Sequence, residues 1–183
     1  ELGVIPKKAA QEIREKAAYD IDRINEIEKT TNHDVIAFVE CIAEKLGESG
    51  RYVHYGLTSS DVLDTALAAG LRDGCDLLMK GLVEVESELV RLAKEHRHTP
   101  VMGRTHGIHA EPTSLGLKFA LWLEECRRNI RRLEMVKEEV SYGKLSGAVG
   151  SYANIDPRIE EYVCSKMGLK IEPVSTQIVQ RDR

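Results

Sequence analysis

Aromatic residues are scarce in this sequence: Phe, Tyr and Trp together make up 5% of it, with two Phe and one Trp. Any core must therefore be packed from aliphatic side chains, which suits helices carrying leucine and alanine stripes. An excess of either charge is also missing, since 26 Lys and Arg face 30 Asp and Glu for a formal net charge of −4. No basic block stands out, so no nucleic-acid partner is expected. A small phosphorylated ligand needs only a local positive pocket, and net charge says nothing about that. No apolar run approaches the ~20 residues of a membrane-spanning helix, and no signal-peptide pattern opens the chain. Cys41, Cys75, Cys126 and Cys164 are far apart and form no C-x-x-C pair. Reduced, mostly buried thiols in a cytoplasmic protein are the expectation. Sustained period-two alternation is absent too, which argues against a sheet. What the chain does have is 42% hydrophobic and 31% charged residues, the balance of a folded domain. It opens at Glu1 without a methionine and stops at Arg183, shortly after a further helix is expected to start, so both ends are expected to lie inside a longer protein.

Apolar spacing predicts five helices, hence an all-α fold. The first runs from about Lys7 to Lys29 behind Pro6. The second runs from near His33 to Leu46, with Thr31 or Asn32 as N-cap, Asp34 in its first turn and Gly47 as its stop. The third begins at Ser59 or Ser60 and meets no proline before Pro100. Its ~38 residues would span roughly 55 Å, too long for an isolated small domain. Gly70, Gly74 and Gly81 inside it each cost up to about 1 kcal/mol against alanine, which close packing against neighbours would offset. The fourth is predicted from Pro112 to about Val140, with Leu115, Phe119, Trp122, Cys126, Ile130 and Leu133 stepping by threes and fours as a bundle seam. The fifth is short, with Asp156 as N-cap, Pro157 at its first position and Gly168 as terminator.

Three connecting stretches are not explained by packing. In Tyr52-Val53-His54-Tyr55-Gly56-Leu57-Thr58-Ser59-Ser60-Asp61, consecutive hydroxyls meet unpaired backbone N–H groups and the positive end of a helix dipole. That suits a carboxylate or phosphate, and an ordinary helix cap explains the same hydroxyls. Met102-Gly103-Arg104-Thr105-His106-Gly107-Ile108-His109-Ala110-Glu111-Pro112 places two histidines, an arginine and a glutamate between long helices. Histidine suits general acid–base work at neutral pH, while a purely structural loop is the alternative. His106 and His109 lie three apart, yet no cysteine or carboxylate set completes a metal site, so no metal is expected. Gly143-Lys144-Leu145-Ser146-Gly147-Ala148-Val149-Gly150 allows close backbone approach to a ligand, but it fits neither phosphate-loop pattern. His96 and His98, closing the third helix, suit its C-terminal carbonyls, and Arg127, Arg128, Arg131 and Arg132 suit a solvated or intersubunit face.

Thr31-Asn32-His33-Asp34-Val35, His54-Tyr55-Gly56-Leu57-Thr58-Ser59-Ser60-Asp61, Gly103-Arg104-Thr105-His106-Gly107, His109-Ala110-Glu111-Pro112-Thr113 and Lys144-Leu145-Ser146-Gly147-Ala148-Val149-Gly150 follow one another in this order. In order and spacing they resemble the fumarase/aspartase superfamily, most closely its adenylosuccinate lyase branch. The resemblance implies a bundle of long helices, with residues 1–57 as the rear of an N-terminal helical domain and 58–183 as the front half of a central one. It implies a homotetramer whose active sites draw on several subunits, and a nucleotide substrate from which fumarate is eliminated without metal or organic cofactor. His106 then corresponds to the general acid and His33 to a second catalytic histidine close to the substrate. Asn32, Asp34, His54, Thr58, Ser59, Thr105 and Gln177 correspond to substrate-binding positions. Two family elements fall outside this sequence, an arginine-tyrosine segment before it and the flexible loop with the catalytic serine after it. The resemblance therefore implies that the 183-residue chain alone is inactive. A relative acting on argininosuccinate or carboxymuconate, and a non-catalytic helical scaffold, are the competing readings.

Overall fold

The computed structural model describes residues 2–183, which form two compact units. The first takes in the residues up to Leu67 together with Tyr142–Arg181; the second is Ala68–Ser141 with Asp182 and Arg183. Both are helical. Among the described residues strand is confined to two short two-stranded pairs.

In the first unit, α1 (Lys7–Lys16) and α2 (Ile21–Thr31) replace the single long helix that the spacing predicts. The break has a local cause. Ala17 turns extended, and the carboxylate of Asp20 accepts the backbone N–H of Arg23 at 3.0 Å, which starts a new helix. Asp20→Ala in the full-length protein should cost about 1 kcal/mol, read as a lower midpoint in urea unfolding. Helix α3 (Asp34–Ala43) follows, and Ile27, Ala37 and Cys41 pack between it and α2, with Ile24 against them. Gly47 opens a 3-10 helix to Tyr52 rather than closing α3. The first turns of α4 (Ser59–Glu95) belong to this unit, as does α6 (Pro157–Met167). Helix α6 forms as the sequence predicts, with the Asp156 side chain on the Arg158 N–H and Gly168 left-handed at the C-terminus. Strands β3 (Tyr142–Gly143) and β4 (Lys170–Ile171) pair in parallel beside it.

The second unit is the remainder of α4, a hairpin of β1 (Pro100–Thr105) and β2 (Ile108–Ser114), and α5 (Leu115–Val140). Helix α4 runs 37 residues, close to its predicted length. Helix α5 runs back antiparallel to it: Cys126 Sγ meets the Leu82 carbonyl at 3.4 Å, Arg127 pairs with Glu86, and Lys137 pairs with Asp76. Gly116 is needed where they begin, since a Cβ there would stand 2.6 Å from the Ala93 carbonyl oxygen. The hairpin overturns the expected helix start at Pro112. That proline lies in β2 opposite Met102, and α5 begins three residues later. All four cysteines are free and buried.

Candidate functional site

The first turn of α4 is organised by a carboxylate that the sequence marks only as a favourable charge. Asp61 accepts the Thr58 backbone N–H at 2.9 Å, closing the helix N-terminus. It is 2% exposed, and its counter-charge is Lys144, which is 0% exposed and holds Oδ1 at 2.5 Å. The same ammonium reaches the Gly147 carbonyl at 3.1 Å, while the Ser146 and Gly147 N–H groups donate to Asp61 at 3.2 and 3.1 Å. One turn further on, Thr65 Oγ1 accepts the Lys144 N–H at 3.0 Å and donates to the Lys144 carbonyl at 2.9 Å. From α6, the buried Glu160 accepts the Leu145 N–H at 2.7 Å and the Tyr152 hydroxyl at 2.6 Å. The glycine-rich loop is thereby tied to α4 and α6 through buried polar groups that are all partnered.

Burial, with the Glu160 hydrogen bond and charge behind it, pushes the Tyr152 hydroxyl up from 10 to about 12. Burial likewise lifts the Cys164 thiol to about 11, with Glu160 adding to it. A folded-state value above the unfolded one means that the Tyr152 contribution is complete below pH 10 and is lost as the pH climbs toward 12. Tyr152→Phe should therefore lose stability less steeply than the unaltered protein across that window, with the Cys164 share of the slope unchanged. Urea midpoints measured at several alkaline pH values check this.

The Asn32-His33-Asp34 stretch lies between α2 and α3, and its roles differ from the predicted caps. Asn32 is the left-handed C-terminal residue of α2 (φ 51°), because asparagine tolerates that conformation, and His33 is the N-cap of α3. His33 Nδ1 accepts the Ile36 N–H at 3.4 Å. Nε2 lies 3.5 Å from the Ser59 hydroxyl. This is the one pair of predicted site residues that a side-chain hydrogen bond joins among the described residues. Asp34 sits in the first turn of α3, its carboxylate on the Val35 N–H at 2.7 Å and 3.3 Å from His33 Nδ1. His54 adopts a left-handed conformation (φ 66°), and its buried Nε2 has no partner among the described residues. Thr58 and Ser59 are half-buried at the start of α4, and Gln177 is exposed on an irregular segment after β4.

In the second unit, Thr105 and His106 stand at the end of the hairpin. His106 and Gly107 form its two-residue turn with φ of 53° and 75°, which matches the twist of the paired strands. Both Thr105 and His106 are exposed and make no side-chain hydrogen bond among the described residues. His109 faces Arg104 across the hairpin. No group of three or more His, Cys, Asp or Glu side chains is gathered for a metal ion among the described residues.

Sequence reasoning passed over Asp61, Asp64, Thr65, Lys144 and Glu160 as a connected set. A signal was there: Asp61, Asp64 and Thr65 recur at three- and four-residue steps, a polar stripe among the aliphatic residues of the first turns of the helix.

The chain matches the Lyase family over residues 5–183. It is 56% identical over 183 residues to the adenylosuccinate lyase of Bacillus subtilis (strain 168) and 55% identical to that of Thermotoga maritima. Both alignments take in the whole chain, which spans about 42% of the length of these curated relatives. Among solved structures it superposes on a fumarate lyase from Mesorhizobium sp. BNC1 with a TM-score of 0.86 at 32% identity, covering 95% of this chain and 43% of that one. On a 3-carboxy-cis,cis-muconate lactonizing enzyme from Pseudomonas putida the TM-score is 0.88 at 30% identity, covering 98% and 43%.

Proposed function

We propose that this chain, which belongs to the Lyase family, is the N-terminal and central part of an adenylosuccinate lyase. The reaction is a β-elimination that releases fumarate from adenylosuccinate, leaving AMP, and from the succinylated aminoimidazole carboxamide ribotide of purine biosynthesis. The observation that carries this reading is the identity of 56% across the whole chain with the Bacillus subtilis enzyme, against 32% with the fumarate lyase and 30% with the muconate lactonizing enzyme.

A base takes the proton from the succinyl carbon beside a carboxylate, the C–N bond breaks, and a general acid protonates the departing nitrogen. His106 takes the part of that acid, with Thr105 beside it. His33 is the second catalytic histidine; its Nε2 lies 3.5 Å from the Ser59 hydroxyl, and the two can act on one substrate group. Thr58 and Ser59 hold a carboxylate or phosphate at the α4 N-terminus, where the helix dipole favours an anion. The unpaired Nε2 of His54 supports a binding role, because buried polar atoms rarely stay unpartnered. Asn32, Asp34 and Gln177 complete the substrate contacts. In this reading residues 1–57 belong to an N-terminal domain and 58–183 to a central bundle.

The assembly is a cytoplasmic homotetramer with active sites shared among subunits. Two features of α4 and α5 support further helices packing on them. Leu77, Leu78, Leu117 and Leu121 are each more than 60% exposed, and a Cβ added at Gly70, Gly74 or Gly81 would meet nothing beyond its own helix within 4 Å. No helix among the described residues is long and apolar enough to cross a membrane.

The test is fumarate release by the full-length protein given adenylosuccinate, argininosuccinate and 3-carboxy-cis,cis-muconate in parallel, with lactone formation followed for the last. Release from adenylosuccinate alone is the expected result. Release from argininosuccinate alone, or lactone formation alone, would keep the fold and its acid–base groups but overturn the purine reading.

A further inference from the structure

Gln177 lies in a stretch of chain that has almost nothing to hold it. Residues 173–181, after β4, form no helix or strand. Among the described residues they share no backbone–backbone hydrogen bond with the rest of the molecule; the last such bond before them runs from the Glu172 N–H to the Gly143 carbonyl. An irregular segment of this kind would sample many conformations, and a substrate-binding side chain on it would be poorly placed.

Three side-chain contacts replace the missing backbone bonds, and they bracket Gln177. Two residues before it, the Ser175 hydroxyl lies 2.8 Å from the hydroxyl of Ser146, which is 1% exposed in the glycine-rich loop. At the same place Gly150 (φ +77°) comes so close to Ser175 that a Cβ would stand 2.1 Å from its carbonyl oxygen. Two residues after Gln177, the Val179 N–H donates to Asp64 Oδ2 at 2.7 Å. The Arg181 guanidinium then meets the other oxygen of the same carboxylate at 2.9 Å, and is itself pushed up by that contact. Asp64 is 6% exposed and sits in the second turn of α4, the helix that begins at the proposed anion-binding Ser59, with Thr58 just before it.

We propose that Asp64 is a positioning residue for Gln177. Its buried carboxylate takes the Val179 N–H and the Arg181 guanidinium, and fixes the segment on the same helix that supplies Thr58 and Ser59. Arg181 offsets the charge of Asp64 and closes the far end of the clamp, while the Ser146–Ser175 pair closes the near end. The substrate contacts on α4 and on the 173–181 segment are thus set in one frame by a residue that touches no substrate itself. This inference rests on the proposed function, because it assigns Gln177 a substrate contact.

The experiment is steady-state kinetics of the full-length protein on adenylosuccinate for Asp64→Ala, Asp64→Asn, Gln177→Ala and Asp64→Ala/Gln177→Ala, with thermal melts of each. Asp64→Ala should raise KM about tenfold with kcat within about twofold, as expected when a uniform binding contact is misplaced. Asp64→Asn keeps an acceptor for the Val179 N–H and should recover part of that loss. In the double variant, loss of Asp64 should add less than about twofold to the KM of Gln177→Ala, because both changes remove one contact. If Asp64→Ala does not fold, Arg181→Met carries the test, since its side chain is 56% exposed and its loss leaves the Val179 bond in place; KM should rise about threefold, within what a solvent-exposed ion pair contributes. A lower melting temperature with unchanged KM, or full additivity with Gln177→Ala, overturns the proposal. No turnover by the unaltered protein overturns the functional reading and this inference with it, and that control separates the two failures.

Discussion

Lys144→Met in the full-length protein should lower its stability by about 3–5 kcal/mol, the cost of leaving one partner of a buried ion pair unpaired. The expectation follows from how Asp61 and Lys144 are partnered. Lys144 is 0% exposed and reaches two acceptors, Asp61 and the Gly147 carbonyl. Asp61 has three backbone donors besides the ammonium, at Thr58, Ser146 and Gly147. Removing the lysine leaves a buried carboxylate that keeps three N–H groups. Removing the carboxylate leaves a buried ammonium with a single carbonyl, and three amides without an acceptor. Asp61→Leu should therefore be the more damaging of the two. A buried ion pair can often be exchanged for apolar residues at little cost, but Lys144→Met/Asp61→Leu should not recover stability here, since the three orphaned amides remain. Urea unfolding of the three variants ranks them; a double variant as stable as the unaltered protein would mean that the loop has rebuilt its amide contacts elsewhere.

Where a helix advertised itself through caps and spacing, the sequence was readable. Helix α6 was bracketed by Asp156, Pro157 and Gly168, and α4 by its hydroxyl start and a long stretch without proline. The break before α2 was missed because Ala17 and Ala18 are good helix formers, so only the single carboxylate of Asp20 marks it. The hairpin was missed for a different reason. Its strands are exposed on both faces along most of their length, so no alternation of apolar and polar residues is needed. The His106-Gly107 dipeptide was its one local signal, read instead as part of a chemical motif. Within the candidate site, the side chains proposed to touch a ligand stand out in the sequence because their types and order are unusual. Those that hold them do not. Asp61 meets Lys144 across 83 residues and Asp64 meets Val179 across 115, separations at which spacing along one helix carries no information.

His106→Asn should reduce kcat of the full-length protein on adenylosuccinate by about 10²–10⁴-fold, the range in which a positioned general acid contributes. The choice of asparagine matters because of where His106 sits. With φ at 53° in the two-residue turn, it occupies a conformation that asparagine shares readily and alanine resists. His106→Asn thus keeps the hairpin and removes only the imidazole, whereas His106→Ala would mix lost chemistry with turn strain. The exposed ring makes no side-chain hydrogen bond among the described residues, so its loss should leave the melting temperature within about 1 °C, as for a surface change. A large fall in kcat with an unchanged melt would assign the loss to proton transfer. A variant with full activity would take His106 out of the reaction and leave His33, hydrogen-bonded to Ser59, as the histidine to test next.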